Sequence, residues 1–316
     1  MQEGHESVLM DEVMDGLEIA PNDVVVDATV GGAGHFKAIM CELGADGVLI
    51  GIDEDTAAIE RARESLALDK RAERPRVHLV TDNFRNLDRV LARLQIPAIT
   101  KALFDLGWSG YQLSDGRGFS FQGDEPLLMT YGNPEARTTA AELVNTLGEA
   151  ELADLIYAFG EERFARRIAK AIVTARKVKR ITSTAELVSA IEAGVPSSYK
   201  KGRIHPATKT FQALRIAVND EFGSVKHGLS AALGNLAHDG RIAVITFHSI
   251  EDRLVKSLFQ DAVRAGKGVL VTKKVITASR EEIIRNPRAR SAKLRLFKST
   301  LASSVPELSV DAITYA

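Results

Sequence analysis

The apolar positions of the first hundred residues fall into short, β-branched runs separated by segments in which apolar residues recur at helical spacing. The runs are Val24 to Ala28, Val48 to Asp53, Val77 to Thr81 and Ala102 to Leu106, and helices are predicted to start near Gly34, Asp55 and Arg85. Short, mostly apolar strands alternating with helices predict a parallel sheet covered on both faces, an α/β fold. After Leu106 the alternation stops at GWSGYQLSDGRGFSFQGDEPLLMTYGNPE, too long and irregular for an ordinary strand-to-helix connection. Helical periods without strands follow. Leu152, Ile156, Phe159, Ile168 and Ile172 keep helical intervals, and Thr139 with Glu142 and Ser183 with Glu186 have capping-box spacing. Strand patterns return at Arg241 to Phe247, Gly268 to Ile276 and Ala292 to Phe297, with a helix from Ile250 to Val263 between the first two. The pattern therefore predicts a discontinuous sheet domain (1–112 and 216–298), an inserted helical domain (113–215) and a polar, loosely ordered tail (299–316).

Composition narrows the class. With 45% hydrophobic residues in 316, the chain can bury packed cores, and 41 basic against 42 acidic residues exclude a polycation or an acidic solvating tail as the whole protein. No apolar run approaches the roughly 18 residues of a membrane span, and the acidic opening MQEGHESVLMDEV lacks the basic and apolar regions of a secretory signal. A single cysteine, Cys41, excludes an internal disulfide and a cysteine-rich zinc site. The expectation is a cytoplasmic protein with no membrane partner. No His-x-x-x-His or His-Glu-x-x-His spacing occurs, so no transition-metal site is expected.

Charge is nevertheless segregated. Residues 1–27 hold eight acids and no Lys or Arg, whereas Arg163 to Arg180 carries eight bases, Lys200 to Arg215 five and Arg285 to Lys298 six, each without an acid. Any one run is compatible with a solvated helix face; together they suit a phosphate-binding surface.

The candidate chemistry sits at strand ends. The first strand runs through Asp27 into Thr29-Val30-Gly31-Gly32-Ala33-Gly34-His35 and a helix, the place where doubly wound sheets bind ligands. The dinucleotide fingerprint is only partly met, because Lys37 stands where its third glycine belongs. Asp53, at the end of the second strand, is placed to take both hydroxyls of a ribose. This arrangement resembles the S-adenosylmethionine site of class I methyltransferases, whose cofactor carries a sulfonium and no pyrophosphate, so nearby acids suit it. The fourth strand ends in Asp105-Leu106-Gly107-Trp108-Ser109-Gly110-Tyr111-Gln112. Amino-directed nucleic-acid methyltransferases commonly place a short polar residue at this strand end with an aromatic close behind. A cytosine N4 amine is a poor nucleophile, and an acceptor on its N–H returns electron density to nitrogen. Trp108 or Tyr111 is a candidate to stack on an extruded base, although Trp108 is equally compatible with a core position.

The motifs taken together resemble the bacterial family of ribosomal RNA small subunit methyltransferase H up to about residue 298. They comprise His5-Glu6-Ser7-Val8-Leu9 with Glu12, the Gly31 to His35 loop, Asp105-Leu106-Gly107, Arg117-Gly118-Phe119-Ser120-Phe121 and Gly160-Glu161-Glu162-Arg163-Phe164-Ala165. They continue in His205-Pro206-Ala207-Thr208-Lys209-Thr210-Phe211-Gln212-Ala213-Leu214-Arg215, Phe247-His248-Ser249-Ile250-Glu251-Asp252-Arg253 and Asn286-Pro287-Arg288-Ala289-Arg290-Ser291-Ala292-Lys293-Leu294-Arg295. The resemblance implies a Rossmann-like methyltransferase sheet and S-adenosylmethionine-dependent methylation of N4 of a cytidine in the decoding region of 16S ribosomal RNA. It implies cofactor contacts at Ala33, Gly34, His35, Asp53, Phe84, Asp105 and Gln112; Asp105, from its place at the strand end, is also the candidate catalytic residue. The implied partner is the small ribosomal subunit, with homodimerisation left open. Two segments depart from the family: Ser109-Gly110-Tyr111-Gln112 lacks its usual proline, and Glu125 to Gly132 lacks its Asp- and Arg-bearing run. Two alternatives stand beside this reading: a nicotinamide-dependent dehydrogenase, opposed by the missing third glycine, and a ribosome-assembly protein that keeps the cofactor structurally.

Overall fold

A computed structural model describes residues 6–71, 73–107, 116–132 and 138–301. The chain divides into two compact units, one made of residues 1–107 with 224–316 and the other of residues 108–223.

The first unit is built on a seven-stranded sheet: β1 (Val24–Asp27), β2 (Val48–Asp53), β3 (Arg76–Thr81), β4 (Ile99–Asp105), β5 (Leu236–Thr246), β6 (Gly268–Leu270) and β7 (Lys293–Ser299). Its spatial order is β3-β2-β1-β4-β5-β7-β6. The first five strands are parallel, and β7 runs antiparallel to both β5 and β6. The fold is α/β, as the alternation predicted, and Rossmann-like, as the resemblance implied. β1, β2, β4 and, from Ile242 onward, β5 are largely apolar because both faces are covered. One core cluster, with Val26, Ile50, Phe104 and Val244, packs beneath Leu229 and Phe259, and the other, with Val25, Leu49, Leu103 and Ala243, packs beneath Leu17, Phe36 and Ile39. The strand order reverses between β1 and β4, so their carboxyl ends diverge and open a crevice where such sheets hold ligands.

The run read as one strand from Gly268 to Ile276 is a strand only to Leu270. The Thr272 hydroxyl donates to the Lys274 carbonyl at 2.8 Å, a local bond that replaces the ladder, and pairing resumes as a lone bridge from Ile276 to Leu294. Ser299, assigned from sequence to the tail, ends β7. Residues 302–316 lie outside the described residues.

The second unit is mainly helical in its described residues, with helices Ala140–Thr146, Glu149–Gly160, Ala165–Val178, Thr184–Gly194, Ser197–Lys200 and Thr208–Asn219, while residues 116–132 are irregular and touch Ser183 through a lone bridge at Pro126. Both expected capping boxes form, with Thr139 and Ser183 as the caps. Its core gathers Leu152, Ile156, Ile168, Ile172, Leu187, Ile191, Phe211 and Leu214. Beneath it the fully buried Glu162 accepts from the Phe164 amide at 2.8 Å and the Tyr199 hydroxyl at 2.6 Å. No helix among the described residues is long and apolar enough to cross a membrane.

Candidate functional site at the carboxyl edge of the sheet

Three carboxylates mark the crevice, each the last residue of its strand: Asp27 on β1, Asp53 on β2 and Asp105 on β4. Asp27 is fully buried, one oxygen accepting the Thr29 amide at 3.1 Å and Oδ2 having no partner. Burial pushes its carboxyl up to about 7, although His35 and the Thr29 amide pull it back. Thr29, which sequence reasoning passed over, ties two strand ends together, because its hydroxyl accepts the Asp105 amide at 2.7 Å. Asp105 keeps one oxygen, Oδ1, buried and unpartnered, while Oδ2 lies 3.5 Å from His35 Nδ1.

Asp53 accepts the Gly31 amide at 2.8 Å on one oxygen and the Asp55 amide at 2.9 Å on the other. Burial pushes this carboxyl up to about 6 against those two amides. Each oxygen still offers a second lone pair, so the group can take hydroxyl donors as well. Arg61 donates through Nε and Nη2 to the Gly31 carbonyl, which fixes the other side of the glycine loop.

The loop itself turns through two left-handed residues, Gly31 (φ 48°) and Ala33 (φ 62°). The second falls on an alanine, a conformation that costs an L-residue about 1–2 kcal/mol and marks a site held by its surroundings. Ala33 caps the helix Gly34–Glu42. Gly34 is needed for contact: a Cβ there would stand 2.0 Å from Ser7 Oγ, so the segment before the first helix lies directly on the loop. The motif around Ser7 signalled this segment, but not its place. His35, in the first turn of that helix, is 5% exposed.

Phe84 opens a short 3-10 turn that Asn83 caps by accepting the Arg85 amide at 2.8 Å. Its ring meets Phe104 edge-on at 5.5 Å and lies under Gly228, where a Cβ would come within 2.6 Å of it. The ring is half-buried, so it is both core and wall. The structure thus brings Ala33, Gly34, His35, Asp53 and Asp105 around one crevice, with Phe84 at the end of the strand next to β2. Gln112, Trp108 and Tyr111 lie outside the described residues.

Chemically, this edge suits a cationic ligand. Two buried carboxylate oxygens without partners and a third carboxylate beside a glycine loop would repel the pyrophosphate of a dinucleotide, which argues against the dehydrogenase reading. They fit the sulfonium and ribose of S-adenosylmethionine.

The chain is 47% identical to ribosomal RNA small subunit methyltransferase H of Geobacter sulfurreducens, covering 92% of this chain and 97% of that one. It is 46% identical to the protein of the same name from Koribacter versatilis, over 93% of both, and 43% identical to that of Brevibacillus brevis, over 92% and 96%. The model of the MraW methylase family matches residues 2–300, which takes in the whole crevice, and the chain belongs to that family.

Proposed function

We propose that this protein is an S-adenosylmethionine-dependent methyltransferase acting on N4 of a cytidine in 16S ribosomal RNA. The observation that carries the reading is the acidic carboxyl edge formed by Asp27, Asp53 and Asp105, with Oδ2 of Asp27 and Oδ1 of Asp105 buried and unpartnered. Bound S-adenosylmethionine supplies a methyl group carried on a sulfonium. Asp53 holds the ribose hydroxyls, Phe84 lies beside the adenine, and the backbone of Ala33 and Gly34 allows close approach at the turn. Gln112 belongs at the methionine end. Asp27 contributes negative potential that favours the cation.

Asp105 is the catalytic residue. Its free Oδ1 accepts an N–H from the cytosine amine, which localises the nitrogen lone pair and orients it for in-line attack. The surplus proton of the methylated nitrogen is strongly acidic and needs only a modest acceptor.

The substrate is the RNA of the small subunit, or its precursor, in the cytoplasm. The helical unit (113–215 as read from the sequence) docks it through the exposed bases of its helix Ala165–Val178. Self-association into a homodimer is compatible with this reading. The deciding experiment is mass spectrometry of the target cytidine in cells with and without the gene, together with calorimetric titration of the protein with S-adenosylmethionine and with NAD. N4-methylation that depends on the gene, and binding of the first cofactor only, is expected. Unchanged methylation overturns the assignment.

A further inference from the structure

His35 stands between two carboxylates. Its Nδ1 lies 3.5 Å from Asp105 Oδ2, and Asp27, with a buried oxygen that has no partner, acts on it from β1. Asp53 in turn acts on Asp27. Burial works against a charged imidazole here, but the contact with Asp105 and the charges of Asp105 and Asp27 outweigh it and raise the histidine above its ordinary value. Position in the first turn of a helix also opposes a cation, because the exposed amides there carry positive potential. The imidazolium is therefore held mainly by the two acids, with a hydrogen bond to the Val8 backbone beside them. A second positive charge brought to the same acids removes the reason for it.

We propose that His35 is a proton store that keeps the charge of the crevice constant through the reaction, giving up its proton when the cationic cofactor binds and recovering one when the methyl group has left sulfur. This rests on the methyltransferase reading above and adds a role to a residue that reading treats as a cofactor contact.

The balance closes. The amine nitrogen forms a bond to the methyl carbon as the carbon–sulfur bond breaks, and that bond's electron pair stays on sulfur, which becomes neutral. The nitrogen's surplus proton passes to Oδ1 of Asp105, and rotation of the carboxyl group brings that same proton to Nδ1 of His35. One positive charge disappears at sulfur and one appears on the imidazole. Asp105 ends as it began, an anion. The two carboxylates see one neighbouring cation before and after, so transfer does not leave buried negative charge unbalanced. His35 acts through Asp105 and is a positioning and proton-holding residue.

The test reads the imidazole directly. Protein labelled with 15N at histidine is examined by NMR across pH 5 to 9 in three states: free, with S-adenosylmethionine and with S-adenosylhomocysteine, whose sulfur is neutral. The His35 resonances are identified by their loss in His35→Asn. The expected result is a His35 that titrates at clearly lower pH with S-adenosylmethionine than with S-adenosylhomocysteine. In calorimetry, the ratio of the two affinities should shift towards S-adenosylmethionine by up to about tenfold per pH unit while His35 titrates, and this slope should vanish in His35→Asn. If His35→Asn does not fold, the His35 resonances are identified by elimination, each of the other six histidines being replaced in turn. The same His35 titration in both complexes overturns the proposal with the cofactor reading intact. Failure of both ligands to bind overturns that reading and the proposal together.

Discussion

Asp27 and Asp53 are acids whose folded-state values are raised by burial, to about 7 and about 6. For a raised carboxyl the folded state binds its proton more tightly than the unfolded chain does. Its contribution to stability is therefore full below the unfolded value near 3.8 and is lost as pH rises through 6 to 7. The free protein should lose stability between about pH 4 and pH 7, and Asp27→Asn, which keeps an acceptor for the Thr29 amide but carries no charge, should flatten that loss. We expect the variant to gain roughly 1 to 4 kcal/mol at pH 8, read from urea melts, while binding S-adenosylmethionine more weakly. A variant no more stable at pH 8 than the parent would mean that Asp27 is not a charged burden. Asp105 makes a separate prediction. Asp105→Ala should lose about 10² to 10³ in single-turnover methyl transfer at saturating cofactor, and Asp105→Asn should retain measurable turnover because one acceptor oxygen remains. Near-parental rates for the alanine variant would remove Asp105 from the chemistry. These residues were visible in the sequence because strand ends and glycine loops are local features. The pairing of His35 with Asp105 was not, since it joins a helix and a strand end 70 residues apart in the chain.

At the level of elements, the sequence was most readable where the signal is local. Thr139 and Ser183 announce their helices because the cap and its Glu lie three residues apart. The helix Met10–Leu17 escaped notice because Leu9, at its N-cap, has a left-handed backbone and no capping side chain. The Leu9 amide instead donates to Glu282 Oε1 at 2.7 Å, a partner 273 residues away. The helix Glu221–Gly234 was hidden by its glycines, and Gly228 explains one of them: the Phe84 ring occupies the space a side chain would need. Gly228→Ala should therefore displace Phe84 and weaken cofactor binding several-fold. Unchanged affinity in calorimetry, with the variant folded, would take Phe84 out of the adenine site. In the helical unit, Glu162→Gln leaves Tyr199 or Phe164 with a poorer acceptor. It should cost about 1 to 3 kcal/mol in stability, measurable by urea denaturation.

For the whole molecule, a net charge of −1 says nothing of where RNA would bind, and the basic runs counted from sequence overstate the available charge. Arg215 is buried in a two-point ion pair with Glu221, Arg176 donates to the Val144 carbonyl, and Lys179 pairs with Glu186. Arg295 and Lys293 are held by Asp252, and Arg285 by Glu6. What remains outward on the helical unit is a set that includes Arg166, Lys170, Lys177 and Arg180, all exposed and all within one helix and the two residues after it. Arg163 and Arg167 are spent partly on the rings of Phe164 and Tyr199. If these four exposed bases meet phosphates, affinity for ribosomal RNA should fall steeply with salt, and replacing all four with Glu should lower the slope of log K against log salt by about 3. S-adenosylmethionine binding should be unchanged, because none of the four belongs to the sheet that holds the crevice. The measurement is RNA binding by filter retention from 50 to 300 mM salt, with cofactor calorimetry on the same preparations. A slope that does not move would shift the docking surface away from this helix, to the exposed Lys201 and Arg203 or to Arg290 after β6, where the same reversal can be repeated.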